Sequence, residues 1–165
     1  SQGAGASEIG HLRLLPSHPG SPWHTLEDLA SGWSLARSAQ RAAAENPDSI
    51  LAKLVDGDVR RIRTETLTEA VDDRDPLAIE IWHRAIEYWG VAIANVITLL
   101  HPEVVVLGGG VSQAGELLFA PLRREVDKQV FAPYRGSYNL APAGLAEEVV
   151  VHGALKLARD FHATW

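Results

Sequence analysis

Apolar residues recur along this chain at steps of three and four, a spacing that predicts helices over most of its length. The clearest helix begins at Asp75-Pro76, where a capping carboxylate precedes proline at the first helical position, and Pro102 ends it. Its second half is apolar nearly all round and is therefore expected in the core. Its apolar positions are Ala78, Trp82, Ala85, Ile86, Trp89, Ala92, Ile93, Val96, Ile97 and Leu100.

A second helical pattern runs through an alanine-rich stretch from Thr25 until Asn46-Pro47 ends it. Thr25 and Asp28 have the spacing of a capping box at its start. The glycine- and proline-rich segment before it predicts a loop with one short strand at residues 12–15. After it, residues 48–75 mix short apolar pairs with charged residues and predict one or two short surface helices.

The segment Val104–Leu107 is a short β-branched run that three glycines follow, with a helical pattern resuming at Gln113. This order predicts a buried strand that delivers its backbone to the start of a helix. Glycines let a ligand approach the main chain, and the free amides and dipole of a helix start favour an anion. The spacing matches neither a dinucleotide fingerprint nor a P-loop, so a tight turn without ligand stays open.

The remaining pattern completes an alternation of helices and strands. Residues 117–130 predict a helix with a kink or break at Pro121, and residues 137–142 predict a short strand. Residues 145–161 predict a final helix with Gly153 in its middle, where close packing or a ligand would explain the glycine. Helices alternating with strands indicate an α/β protein rather than a helical bundle.

Composition narrows the function classes. The chain has 165 residues, 46% of them hydrophobic, and is expected to form a single domain over residues 1–165. A net charge of −6 without a basic stripe predicts no nucleic-acid binding, and the absence of cysteine excludes disulfides and thiolate metal sites. The longest apolar stretch, residues 91–100, is about half of a membrane span, so a soluble cytoplasmic protein without membrane partners is expected.

Four segments, in order along the chain, resemble the C-terminal half of the ROK family of sugar kinases and sugar-responsive repressors. Glu8-Ile9-Gly10-His11 is similar to the family's G-E-I-G-H motif, and Thr25-Leu26-Glu27 with Ala30-Ser31-Gly32 resembles the end of its cysteine motif. Residues 95–112 resemble its helix, N-P-E, strand and G-G-G-V-S stretch, and Gly153-Ala154 resembles the G-A-A of its terminal helix. The ordered set is more specific than any one member.

The resemblance implies an α/β chain with the actin-like, ribonuclease H-like ATPase fold, as the C-terminal lobe of a ROK-type sugar kinase. The intact protein would transfer the γ-phosphoryl group of ATP, with Mg²⁺, to a hexose or hexosamine. Glu8, His11 and Glu27 would bind the sugar, since carboxylates and a neutral imidazole supply the acceptors and donors that hydroxyls need. The implied nucleotide-binding residues are Gly108, Gly109, Gly110 and Ser112.

The chain departs from the family pattern at two places. The family holds a structural zinc with the E-I-G-H histidine and three cysteines, where this chain has His18, Gly20 and Thr25 instead. A site formed by His11, His18 and His24 is the alternative, but structural zinc usually takes four ligands, so no zinc is expected. The family's N-terminal lobe, which carries the D-x-G-G-T phosphate loop and the N-x-D general-base segment, has no counterpart among the matched segments, so the chain by itself is expected to be inactive.

Three functions remain open at this point: a kinase, the sugar-sensing domain of a ROK-type transcriptional repressor, and a non-catalytic pseudokinase. The motif residues also have simpler explanations, since Glu8 and His11 fit a solvated loop and Glu27 fits an acid that complements a helix dipole. The kinase and repressor readings both predict homo-oligomers, for which the helix bearing Trp82 and Trp89 is a candidate surface.

Overall fold

A computed structural model of the chain describes residues 8–14 and 22–144, together with residues 155, 156 and 159. Within these ranges the chain is α/β. The helices are α1 Leu26–Ala30, α2 Gly32–Glu45, α3 Ile50–Lys53, α4 Thr64–Asp72, α5 Pro76–Leu100 and α6 Glu116–Gln129. The strands are β1 Arg13–Leu14, β2 His24–Thr25, β3 Val104–Leu107 and β4 Asn139–Pro142. Gly153 and most of the helix predicted over residues 145–161 lie outside the described residues.

The long helix α5 has the bounds that its capping residues predict. Oδ1 of Asp75 accepts hydrogen bonds from the backbone N–H groups of Leu77, at 2.8 Å, and Ala78, at 3.2 Å. At the other end His101 adopts the left-handed conformation, with φ 46° and ψ 52°, directly before Pro102. Histidine is one of the few residue types enriched in that conformation, so this position suits it. Local chemistry therefore defines both ends of α5.

Helix α5 forms the centre of the core, because α1, α2, α4 and α6 all pack against it. Trp82 is only 1% exposed and belongs to the core, whereas Trp89 is half-buried. Gly90 allows α6 to approach closely, since a Cβ there would lie 2.6 Å from Cγ of Glu125. Across the described part of the chain, no helix is long and apolar enough to cross a membrane.

The single helix predicted from Thr25 to Asn46 is two helices, α1 and α2, separated at Ser31. Ser31 has an extended backbone, with φ −68° and ψ 157°, and its hydroxyl accepts the backbone N–H of Ser34 at 3.2 Å. Ser34 in turn donates its hydroxyl to the carbonyl of Glu27 at 2.9 Å. The two serines thus satisfy backbone groups at both sides of the break, as helix ends require.

Strands β3 and β4 pair in parallel, with Val104 opposite Asn139, and this confirms both strands predicted in the second half of the chain. The prediction that the first of them is buried is wrong. Val104 and Val106 are 48% and 59% exposed, because the pair is covered on the face of Val105 and Leu107 only. A β-branched run indicates a strand without indicating how many of its faces are covered.

Helix α6 continues through Pro121, so the predicted alternative of a helix break at this residue is wrong. Proline has no N–H to donate to the carbonyl four residues earlier, which belongs to Leu117. The indole Nε1–H of Trp82 donates to that carbonyl instead, at 3.1 Å. A side chain from α5 therefore replaces the backbone hydrogen bond that α6 lacks.

Replacing Trp82 with phenylalanine is expected to destabilise the fold by about 1–3 kcal/mol, since it removes the donor to the Leu117 carbonyl. In a Pro121→Ala background the backbone N–H of residue 121 becomes available to that carbonyl, so the same change should cost about 1 kcal/mol less. Urea unfolding of the two single variants and the double variant measures the coupling. Equal costs of Trp82→Phe in both backgrounds would contradict the role assigned to the indole.

Candidate functional site

The chain leaves β3 through a glycine turn, which we define as residues 108–110. Gly109 has φ 88° and ψ 173°, a region that residues with a Cβ essentially do not adopt. Its carbonyl accepts the backbone N–H of Ser112 at 3.0 Å and the Ser112 hydroxyl at 2.7 Å. These two bonds close the turn onto the 3-10 segment Gly110–Ala114. The glycine requirement that the sequence indicates is therefore a conformational one at Gly109.

The α-helix predicted to resume at Gln113 begins instead at Glu116. Gly115, with φ 57° and ψ −134°, separates the 3-10 segment from α6. Ser112 accordingly closes the glycine turn and lies in the 3-10 segment, before α6 begins. The positive end of the α6 dipole therefore does not lie at the glycine turn, and the turn offers a ligand mainly its backbone groups.

The glycine turn forms one wall of a pocket of about 340 Å³, a size typical of small-molecule sites. The other walls are the junction of α1 and α2, the start of α4, and residues of α5 and α6. All four residues predicted to bind a nucleotide line it. The lining residues are Ala30, Ser31, Gly32, Thr64, Glu65, Trp89, Leu107, Gly108, Gly109, Gly110, Val111, Ser112, Leu118 and Leu122.

The hydroxyl groups that line this pocket already donate to the protein. Thr64 donates to a carbonyl of α2 at 3.0 Å, Ser31 donates to a hydroxyl of the same helix at 3.1 Å, and Ser112 donates within the glycine turn. Among the described lining residues Glu65 is the one charged side chain, and none is lysine or arginine. The pocket therefore combines apolar walls and backbone groups with one carboxylate.

The segment that carries Glu8 and His11 packs against the helix that carries Glu27. The 3-10 segment Ile9–His11 follows Glu8 and packs against α1, so that a Cβ built on Gly10 would lie 3.7 Å from the Cβ of Glu27. Strands β1 and β2 pair in antiparallel fashion and hold this segment at the start of α1. The side chains of Glu8, His11 and Glu27 are all exposed and accessible to a ligand. We refer to these three residues as the acid–histidine cluster.

The capping box at the start of α1 is present as predicted and lies beside this cluster. Asp28 accepts the backbone N–H of Thr25 at 3.0 Å, while the Thr25 hydroxyl accepts the N–H of Asp28 at 3.1 Å. These interactions with the backbone and then the side chain of Thr25 hold the pKa of the Asp28 carboxyl below its ordinary value. Smaller electrostatic contributions from His24 and His11 act in the same direction.

The residues of this region do not fit the zinc site that the family resemblance implies, because the chain contains no cysteine to supply the thiolates. Within residues 8–14 and 22–144 and the three described residues beyond them, no group of three or more histidine, aspartate or glutamate side chains could hold a metal ion. His18 lies outside the described residues, so the alternative site of His11, His18 and His24 stays a prediction.

Helix α1 connects the acid–histidine cluster to the pocket. Glu27 stands in its first turn, whereas Ala30 and the following Ser31 line the pocket. The helix rises about 1.5 Å per residue, so the two sites begin only about 5–6 Å apart along its axis. A ligand in the pocket and a ligand at the cluster would therefore be near neighbours.

Sequence reasoning did not assign Ser31, Thr64, Glu65 or Trp89 to the site. Ser31 belongs to a segment matched to the family motif, and this match was the available signal for it. Glu65 and Trp89 have ordinary helical positions in the sequence, with nothing nearby to mark them. They reach the pocket because α4 and α5 pack beside the glycine turn, which is a property of tertiary structure.

Comparison with known proteins agrees with the motif reading. The ROK family model matches residues 1–161. A glucokinase from Thermotoga maritima is 30% identical over 161 residues, covering 96% of this chain and 50% of that protein, and a glucokinase from Halalkalibacterium halodurans is 35% identical over 128 residues, covering 74% and 38%. Where nearly the whole chain is matched, it spans about half the length of the curated relative.

Solved structures give the same picture. The crystal structure of a ROK family glucokinase from Streptomyces griseus, in complex with glucose and AMPPNP, is 31% identical, with a TM-score of 0.79 over 94% of this chain and 52% of that one. A ROK family transcriptional regulator, a homologue of the E. coli MLC protein, is 27% identical, with a TM-score of 0.67 over 82% of this chain and 34% of that one. The structural neighbours are ROK sugar kinases and a regulator, and the kinases have an actin-like ATPase fold.

Proposed function

Because the chain belongs to the ROK family, we propose that it supplies the sugar-binding and nucleotide-binding C-terminal lobe of a ROK-type carbohydrate kinase. The intact protein would transfer the γ-phosphoryl group of ATP to a hydroxyl of a hexose or hexosamine. Curated relatives along the whole chain are glucokinases, which supports this reaction class. The binding of glucose and AMPPNP by the Streptomyces griseus glucokinase supports both ligand types.

The observation that carries the proposal is the placement of two sites at opposite ends of α1. Phosphoryl transfer requires the donor phosphate and the acceptor hydroxyl to be in line and almost in contact. A nucleotide in the pocket and a sugar at the acid–histidine cluster would meet this requirement, since Glu27 and Ala30 lie within one helical turn. Neither site alone would distinguish a kinase from a simple binding protein.

In this proposal the pocket holds the adenosine part of the nucleotide, and the phosphates leave it toward α1. Apolar side chains from β3 and α6 suit a purine ring, whereas the described lining residues include no lysine or arginine to neutralise phosphate charge. Bound Mg²⁺ would supply part of that neutralisation at the phosphates. The pocket's own residues bind and orient the nucleoside, and they exclude water from it.

The acid–histidine cluster would fix the acceptor sugar. Carboxylates of Glu8 and Glu27 accept hydrogen bonds from hydroxyl groups, and a neutral His11 imidazole both donates and accepts. All three side chains are exposed and so accessible to a sugar. The general base that takes the proton from the attacking hydroxyl would come from the family's other lobe, because the chain spans about half the length of its curated relatives. The chain by itself is therefore proposed to bind both ligands without turnover.

Glu8→Gln and His11→Ala are each expected to weaken sugar binding by about ten-fold or more, because hydrogen bonds to charged or directional groups contribute about 1.5–3 kcal/mol when buried by a ligand. The measurement is calorimetric titration of glucose, other hexoses and N-acyl hexosamines into the chain. Glu45→Gln, on the far end of α2, is the control that should leave affinity unchanged. Unaltered sugar affinity in both variants would remove the cluster from the proposal.

A second candidate function is a sugar sensor without catalysis, which the similarity to the ROK family transcriptional regulator favours. A coupled assay of ADP release by the intact gene product, with ATP, Mg²⁺ and the same sugars, separates the two. Turnover that His11→Ala abolishes would support the kinase. Sugar-dependent thermal stabilisation without turnover would support the sensor or a pseudokinase and contradict the kinase.

A further inference from the structure

Glu65 is the one charged side chain among the described residues that line the pocket. It lies in the first turn of α4, is exposed, and lines the same pocket as the glycine turn. Its carboxylate has no hydrogen-bond or ion-pair partner among the described residues. The three lining hydroxyls, by contrast, all donate to protein groups. A ligand that fills the pocket therefore meets one free acceptor of full negative charge.

A free carboxylate selects for hydrogen-bond donors and against anions. Phosphate oxygens would be repelled by Glu65, and no described lining residue supplies a compensating positive charge. A nucleoside offers two kinds of donor, the ribose hydroxyls and the amine of adenine. The pocket itself indicates which of them meets Glu65.

The pocket has an apolar side and a solvent-facing side. Leu118 and Leu122 are 3% and 1% exposed, and half-buried Leu107 and Trp89 extend that apolar wall. Glu65 is exposed, so it contributes to the solvent-accessible part of the lining. A purine ring gains most from the apolar wall, which leaves the ribose at the carboxylate.

We infer that Glu65 binds the ribose 2′- and 3′-hydroxyls of the nucleotide and makes the pocket selective for ribonucleosides over deoxyribonucleosides. This inference rests on the proposed function, because it assumes that the pocket holds the nucleoside. It assigns a specificity-determining role to a residue that carries no motif in the sequence. Two vicinal hydroxyls can donate to the two oxygens of one carboxylate, which makes the contact bidentate.

The test is calorimetric titration of the chain with adenosine, 2′-deoxyadenosine, 3′-deoxyadenosine and inosine, all of which are uncharged. Adenosine should bind to Glu65→Ala at least about ten-fold more weakly than to the unchanged chain. On the unchanged chain, the two deoxynucleosides should bind more weakly than adenosine by a similar factor. The deoxynucleosides should be less sensitive to Glu65→Ala than adenosine is. Glu69→Ala, one turn further along α4 and outside the pocket lining, is the matched control, and inosine should bind like adenosine.

The outcomes separate this inference from the proposed function. Adenosine that binds the unchanged chain and Glu65→Ala equally well would overturn the role of Glu65 and leave the nucleotide pocket in place. If, on the unchanged chain, inosine alone bound more weakly than adenosine, Glu65 would be assigned to the adenine amine, and the inference would also be overturned. No binding of adenosine to the unchanged chain would contradict the proposed function and the inference together.

Discussion

Asp75→Ala is expected to lower the free energy of unfolding by about 3–5 kcal/mol, a large part of the stability of a protein of this size. The side chain is 1% exposed, and its carboxylate accepts three backbone N–H groups. Oδ1 caps α5 through Leu77 and Ala78, while Oδ2 accepts the N–H of Leu51 in α3 at 3.0 Å. Alanine leaves all three donors without a partner, two of them in a buried setting.

Thermal and urea unfolding measure this effect, and the melting temperature should fall by roughly 6–20 °C. Asp75→Asn should cost less, because its single amide oxygen can still cap α5 although the amide nitrogen cannot accept from Leu51. Asp72→Ala is the matched control, since Asp72 is exposed three residues earlier and should change stability by no more than about 0.5 kcal/mol. An Asp75→Ala variant as stable as the control would show that this carboxylate does not join α3 to α5.

Gly109→Ala is expected to reduce nucleotide affinity by about ten-fold or more. A Cβ at φ 88° and ψ 173° costs about 1–3 kcal/mol of backbone strain, and the turn can relieve it only by changing its shape. A change of shape would displace the Gly109 carbonyl from the N–H and hydroxyl of Ser112, which close the turn. The pocket wall would then no longer match the nucleoside.

Gly136→Ala is the control for strain alone. Gly136 also has a positive φ of 74°, has open space around its Cβ position, and lies outside the pocket lining. Calorimetric titration with AMPPNP should show normal affinity for this variant although its stability falls by a similar amount. Equal affinities of the Gly109 and Gly136 variants would mean that the glycine turn does not contact the nucleotide.

Elements defined by short-range chemistry were predictable from the sequence. Asp75-Pro76 identifies the start of α5 because the cap needs only its own next three residues, and Pro102 ends it equally locally. The capping box of Thr25 and Asp28 was predictable for the same reason. Strand β3 followed from its β-branched composition, although its pairing with β4 did not.

Features that depend on distant residues were not predictable. The break at Ser31 lies within an alanine-rich stretch whose composition favours one continuous helix. Helix α6 passes through Pro121 because Trp82, 39 positions earlier in the sequence, supplies the missing donor. Exposure of Val104 and Val106 depends on what covers the sheet, which a strand pattern does not contain.

In the candidate site, too, the residues that belong to local motifs were predictable, and those brought in by tertiary packing were not. Ordered motifs indicated Glu8, His11, Glu27 and the glycine turn; the glycine turn lines one pocket, and the segment of Glu8 and His11 packs against the helix of Glu27. Glu65 carries no motif, because its place in the pocket is determined by the packing of α4 beside α2 and the 3-10 segment Gly110–Ala114. Sequence reasoning therefore located the two ends of the site and missed the residues that shape the space between them.

The central claim is that α1 joins a nucleotide pocket to a sugar cluster, and a crystal structure of the chain with AMPPNP and glucose tests it most directly. The account predicts adenosine between the glycine turn and Glu65, and sugar hydroxyls within hydrogen-bond distance of Glu8, His11 and Glu27. A nucleotide bound elsewhere on the chain, or a sugar bound away from all three residues, would contradict the account.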